Sequence, residues 1–307
     1  MRTQLGFLST EFYMHRIHRL SMFCLAAVVT MSGCKPEQVT ATEDIPTAGV
    51  RFINAVPDSS GAFGLDFRYV DSPVESNAQF RISFRNSPTT TAGVTASATV
   101  QYKGARAGNR TFSIFLNDTI QAIASTKLKD STLSLVAGKN YTAIMWGAGR
   151  VPGQMKLRII DESVLPDPGA KVALRVINAT DQPIDASQYV STGAVPATPT
   201  WANVAPYSVS SYVLVDPAQY RYNVRAAGTA TNLFTDMLAL IGAAAFSTAG
   251  ASGKLDIRAL AGTTVAGSAI SLIVYPRSTA LSRTPQTAPF QVPAGSFVWD
   301  RRPPIGF

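Results

Sequence analysis

Short apolar runs of strand length, punctuated by Gly, Ser, Thr, Ala and Pro, return in the same order in the two halves of this chain. No other feature constrains its fold as tightly. Val50-Arg51-Phe52-Ile53-Asn54-Ala55 comes back as Leu174-Arg175-Val176-Ile177-Asn178-Ala179. Residues two apart share one face of a strand, so Val50 and Phe52, or Leu174 and Val176, are expected to face a core while Arg51 and Arg175 point to solvent. Asn54 and Asn178 suit the strand exits, because asparagine tolerates left-handed backbone. Farther on, Ala107-Gly108-Asn109 leads into Thr111-Phe112-Ser113-Ile114-Phe115-Leu116, and Pro217-Ala218-Gln219 leads into Tyr220-Arg221-Tyr222-Asn223-Val224. Each reads as a hairpin turn followed by a half-buried strand. Ala137-Gly138-Lys139-Asn140-Tyr141-Thr142-Ala143-Ile144-Met145-Trp146 then matches Ala266-Gly267-Ser268-Ala269-Ile270-Ser271-Leu272-Ile273-Val274-Tyr275. Three corresponding elements in one order imply a duplication.

Few segments have helical spacing. Asn232 could cap a helix with Leu233, Met237, Leu238 and Ile241 on one face, and residues 237–253 are uncharged. That stretch is too short and too rich in Gly, Ala, Ser and Thr to span a bilayer, so a core strand or short helix is expected there. The fold expected is all-β: two tandem immunoglobulin-like antiparallel β-sandwich domains at 48–163 and 171–280, joined by a linker at 164–170. A Pro/Arg-rich tail follows at 281–307, and such a segment cannot form a central strand. It either packs along the second domain with Phe297 and Trp299 buried, or docks a partner. Trp299 beside Arg301 and Arg302 has the make-up of an interaction hot spot.

The opening strand ending in Asn-Ala, the Ala-Gly or Pro-Ala turn before an aromatic-rich strand, and the Ala-Gly-x-x-Tyr-Thr run at 137–142 resemble the bacterial domain of unknown function 4397 family. The likeness covers roughly residues 48–280. The second copy departs from it, with Ile270-Ser271 in place of Tyr-Thr, and its first strand runs into Asp181-Gln182-Pro183 rather than Pro57-Asp58. The resemblance implies an extracytoplasmic β-sandwich domain, often repeated and often found in lipoproteins. It brings no activity and no catalytic residues to transfer.

Residues 1–33 are organised as a signal peptide. His15-Arg16-Ile17-His18-Arg19 is a basic n-region, and the apolar run after it, 20–30, is too short for a helix across a core of about 30 Å. A start at Met14 gives the signal better proportions. Met31-Ser32-Gly33-Cys34 resembles the lipobox of bacterial lipoproteins, with cleavage between Gly33 and Cys34 and acylation of Cys34, which leaves 34–47 as a lipidated linker. Two acyl chains anchor durably where one holds marginally. Lys35 after the cysteine favours the outer membrane, by the same resemblance.

Removal of 1–33 takes away three arginines and one glutamate, lowering the formal charge from +8 to +6. The remaining basic residues are scattered singly, so nucleic acid is not an expected partner. Both histidines and Cys24 lie in the signal, and Cys34 is assigned to lipid. The mature chain therefore has no imidazole and no free thiol, which excludes Ser-His-Asp and Cys-His catalysis and Cys/His zinc sites. No Ser-x-x-Lys, Gly-x-Ser-x-Gly or phosphate loop is present, and no cofactor, metal or catalytic residue is assigned. Gly147-Ala148-Gly149 is followed by Pro152-Gly153 and reads as a loop. Carboxylate chemistry is the one enzymatic route left open. Its best pair, Asp161-Glu162, precedes Pro166-Asp167-Pro168-Gly169 and reads as a solvated linker. The expectation is a non-enzymatic envelope protein that binds a protein or surface polysaccharide, with a structural spacer or a carboxylate-dependent glycan-active enzyme as alternatives.

Overall fold

The expected strands form, and they are arranged in two β-sandwiches. A computed structural model describes residues 45–57, 64–71, 80–82, 84–85, 100–147, 155–250, 253–278, 280 and 288–302. The signal and lipobox, with Gly33 and Cys34, lie outside the described residues.

In the first sandwich, one sheet joins β1 (Thr47–Ala55), β4 (Lys103–Arg106), β7 (Asn140–Trp146) and β8 (Lys156–Asp161) in the order β4-β1-β7-β8. The facing sheet joins β2 (Leu65–Tyr69), β3 (Phe80–Ile82), β5 (Gly108–Leu116) and β6 (Lys127–Leu135) in the order β3-β2-β5-β6. A one-turn helix, α1 (Gln121–Ala124), connects β5 to β6. The core between the sheets holds Val50, Phe52, Phe67, Tyr69 and Phe112, with the Phe52 and Phe67 rings 4.5 Å apart.

The second sandwich follows the same plan. Its first sheet contains β9 (Val172–Asn178), β12 (Ser208–Val209), β13 (Val213–Val215), β18 (Ala269–Tyr275) and β19 (Ala294–Arg301), in the order β12-β9-β18-β19 with β13 also on β9. The facing sheet runs β11-β10-β14-β15, from β10 (Ile184–Val190), β11 (Trp201–Val204), β14 (Tyr220–Ala226) and β15 (Asn232–Leu238). A separate hairpin, β16 (Phe246–Gly250) with β17 (Gly253–Ile257), and a second one-turn helix, α2 (Ala288–Gln291), complete the described elements. The segment from Asn232, where a helix could have been capped, is thus a strand up to Leu238.

The sheets are mixed rather than wholly antiparallel. β1 runs parallel to β7, and β9 runs parallel to β18. In each case the chain leaves the first strand, builds the facing sheet, and returns beside its starting point in the same direction, as a long crossover allows and a hairpin does not. Gly138 (φ 76°) and Gly267 (φ 79°) turn the chain just before the returning strands, in a backbone region that residues with a Cβ rarely adopt.

Two expectations about the first strands are corrected. Asn54 and Asn178 do not adopt left-handed backbone; both are buried and hold the loop that follows. The Asn178 Nδ2 donates to the carbonyls of Gln182 (2.8 Å), Val204 (3.0 Å) and Ala205 (3.0 Å), and its Oδ1 accepts from the Thr180 amide (2.9 Å). Asn54 plays the same part, donating to Ile82 O and accepting from Val56 N. Asn178→Ala would leave several buried groups unpaired, and a loss of about 2–4 kcal/mol in urea-denaturation stability is expected.

Nor do Arg51 and Arg175 point to solvent. The alternate residues of the central strands, Ile53, Ala55, Ile144 and Trp146 in one sandwich and Ile177, Ala179, Ile273 and Tyr275 in the other, form a third core. The sheet of β1 and the sheet of β9 therefore pack against each other, and both faces of these strands are buried. This is why they read as nearly continuous apolar runs. Residues 46–307 form one compact unit. Its second sandwich reaches Arg301, because β19 pairs with β18 along its length. The strand sits at the sheet edge and starts just after Pro293, in keeping with the proline content of the segment.

Candidate functional site

Within the contact between the two sandwiches lie two arginines and two carboxylates. Arg51 and Arg175 occupy the same place in β1 and β9, and each neighbours a hydroxyl residue on the parallel strand: Arg51 is in register with Thr142, and Arg175 with Ser271. The Arg51 Nε donates to Thr142 Oγ1, and the Arg175 Nε donates to Ser271 Oγ, both at 2.7 Å. Those hydroxyls in turn donate to acids: Thr142 to Glu162 and Ser271 to Asp300. Glu162 follows the last residue of β8, and Asp300 lies near the end of β19.

The guanidinium groups reach across the contact. Arg175 Nη2 meets both Glu162 oxygens at 2.8 Å, and Arg51 Nη2 pairs with Asp300 Oδ1. Arg51 Nη2 also lies 3.2 Å from Glu162, and Arg175 Nη2 lies 3.3 Å from Asp300. Each arginine is covered by a tyrosine, Tyr102 at 4.7 Å from Arg51 and Tyr212 at 4.6 Å from Arg175. The Tyr212 hydroxyl donates to Asp300 Oδ2 at 2.9 Å. Side-chain exposures of 0% for Arg51 and Asp300, 1% for Glu162 and 5% for Arg175 leave the cluster almost wholly shielded from bulk water, with Arg175 its most open member. Two positive and two negative groups balance, which is the condition under which buried charge is tolerated.

Burial is the largest influence on Arg51, Arg175 and Asp300, and for the arginines it opposes charge. Together, Tyr102, Asp300 and Glu162 outweigh it at Arg51, and Asp300, Glu162 and Tyr212 do so at Arg175, so both guanidinium pKa values are raised. Asp300 also feels burial first, in the direction of protonation, but Arg175, Arg51 and the Ser271 hydroxyl overcome it and hold the carboxyl below its ordinary 3.8. Its contribution to stability is thus fully present above that ordinary value and is lost as pH falls through the lowered folded value. The melting temperature is expected to hold from about pH 7 to 5 and to fall below about pH 4. A variant with all four charged groups replaced by apolar residues should lose part of that dependence; an unchanged acid limb would count against the role given to Asp300.

Chemically, the cluster is a clamp. Both carboxylates are engaged by guanidinium groups from both sandwiches, Glu162 and Asp300 each meeting Arg51 and Arg175. The solvated linker expected at Asp161-Glu162 is corrected for Glu162. Asp161 stays at the surface, where its Oδ1 accepts from the Ser163 amide, and that turn swings Glu162 inward onto Arg175.

Of the residues expected to interact, Trp299 is half-buried in β19. Its ring lies 5.6 Å from Tyr102, its carbonyl accepts from Arg51 Nη1 at 2.8 Å, and Arg302 sits 4.5 Å above it. Arg301 pairs loosely with Asp167, at 3.6 Å. Trp299 and Arg302 are therefore together, and Arg301 points elsewhere. Sequence reasoning missed Arg51, Arg175, Thr142, Ser271, Glu162 and Asp300 as a set. The available signal was an arginine in the same slot of two strands whose neighbours are apolar on both faces.

Residues 48–186 match the model of a domain of unknown function, DUF4397. That stretch is similar to DUF4397. The DUF4397 match runs beyond β8 into β9 and β10, so it contains Arg51, Thr142, Glu162 and Arg175, while Ser271 and Asp300 lie outside it. No curated protein matches the chain. Among the described residues there is no helix long and apolar enough to cross a membrane, and no grouping of three or more His, Cys, Asp or Glu side chains that could hold a metal ion.

Proposed function

We propose that this protein is a lipid-anchored, extracytoplasmic envelope protein, attached through Cys34 to the outer membrane, whose DUF4397 domain and a second copy of it form a non-enzymatic binding module for an envelope protein or surface polysaccharide. The observation that carries the reading is the commitment of the buried charged groups to one another. Arg51, Arg175, Glu162 and Asp300 neutralise each other across the contact and fix the two sandwiches as a rigid body. Loops and sheet edges on such a body are held in place for recognition. The lipobox at 31–34 and a mature chain without histidine or free thiol support it. So does the shared strand plan, in which β1 to β8 correspond to β9–β15, β18 and β19.

The test has two arms. Radioactive palmitate should label the wild type and fail to label Cys34→Ala; continued labelling of that variant ends the anchor assignment. Immobilised residues 35–307 should retain a defined envelope protein or polysaccharide, and repeated failure to retain either would remove the binding reading. A second reading, a structural spacer, draws on the same rigid contact between the sandwiches. Loss of the gene that weakens the envelope without changing any binding phenotype would favour it.

A further inference from the structure

The clamp is not even-handed. In the first sandwich the Arg51 Nη1 donates to the carbonyl of Trp299. The counterpart of Trp299 is Asp161, since each precedes the acid of the clamp and each is the β-partner of the residue before the hydroxyl: Tyr141 with Asp161, and Ile270 with Trp299. At Asp161, however, the chain leaves β8 for a one-turn 3₁₀ helix over Glu162–Val164. The Arg175 Nη1 makes no hydrogen bond to the described residues and is not cut off from solvent. In the space left by that turn is a cavity of about 450 Å³, walled by Arg175, Glu162, Tyr212, Asp161, Ser211 and Pro166, among others.

Cavities of this size hold small ligands. The chemistry of the wall narrows the choice. Arg175 offers an unused donor, but its charge is already balanced by Glu162 and Asp300, and Asp161 at the mouth is matched by Lys139 at 3.7 Å, so the wall carries no spare positive charge to hold an anion. A donor and an acceptor line the same cavity, with the Pro166 ring and Leu165 supplying apolar surface. We propose that this cavity binds a neutral sugar unit of a polysaccharide, with the Arg175 Nη1 donating to a sugar hydroxyl oxygen and Asp161 accepting from one. The inference rests on the binding-module reading above and names its ligand class and its site.

Ser211 is exposed at the cavity, and no hydrogen bond of its hydroxyl supports the clamp, so Ser211→Trp blocks the space without touching the charged cluster. The full chain in detergent is titrated by calorimetry with maltose, cellobiose and the N-acetylglucosamine disaccharide, and in parallel with glutarate and a neutral tetrapeptide. Saturable binding of at least one disaccharide in the millimolar range, weakened about tenfold or more in Ser211→Trp with an unchanged melting temperature, is the expected result. Absence of saturation by all three sugars overturns the proposal, as does sugar binding that Ser211→Trp leaves intact; the latter result keeps the binding module and moves its site. Binding of glutarate or peptide that Ser211→Trp abolishes, without sugar binding, overturns the ligand class alone. If Ser211→Trp melts lower than wild type, Ser211→Tyr and Pro166→Trp repeat the block from the same wall.

Discussion

Replacing Arg51 by Met is expected to destabilise the protein by about 3–5 kcal/mol, because it leaves two buried carboxylates sharing the single arginine Arg175, with one negative charge uncompensated. Arg51 contacts Thr142, Trp299 O, Glu162 and Asp300 at once, and no single substitution keeps all four. Lysine restores the charge but not the planar fork, so Arg51→Lys should recover only part of the loss. The informative companion replaces the whole clamp, with Met at Arg51 and Arg175 and Leu at Glu162 and Asp300. Removal of all four charges also removes their desolvation cost, and stability should return to within a few kcal/mol of wild type or exceed it. Urea denaturation of the three variants measures this. A cost below about 1 kcal/mol for Arg51→Met would mean that water reaches the cluster and that it is not the joint described here.

The second large effect is expected on deleting residues 292–307. The deletion removes β19, and with it Phe297 and Val298 from two separate cores and Asp300 from the clamp. Loss of a buried phenylalanine side chain costs about 3–5 kcal/mol, and an orphaned buried arginine costs a similar amount. Against a typical total stability of about 5–15 kcal/mol, the truncated chain should show no cooperative thermal transition and should bind a hydrophobic dye. A cooperative melt within a few degrees of wild type would show that the strand is dispensable, and would return Trp299, Arg301 and Arg302 to the position of a free docking segment.

These two experiments concern the part of the molecule that was hardest to read in advance. Strand positions followed from local signals: Gly138 and Gly267 mark turns, and the aromatic-rich strands begin close to where the turn residues before them end. The same holds for the segment after Asn232, where the residues compatible with a helix face also alternate well enough to make a strand beside β14. What those signals lack is any record of what lies beyond each face of a sheet. Val50 and Phe52 were legible as one face and Arg51, Ile53 and Ala55 as the other. Whether the second face met water or another sheet was not.

By itself, the sequence determined the β class, the order of the elements, their recurrence in two halves, and the absence of imidazole and thiol chemistry after residue 34. Each of these depends on residue type and short-range spacing. Only the tertiary structure decided that the two sandwiches share a core, that Arg51 and Arg175 are buried, and that Glu162 and Asp300 meet them from positions 111 and 249 residues away from Arg51. The physical reason is that a buried charge is tolerable only beside its counter-charge. That pairing joins residues far apart in the chain, where no local period can announce it.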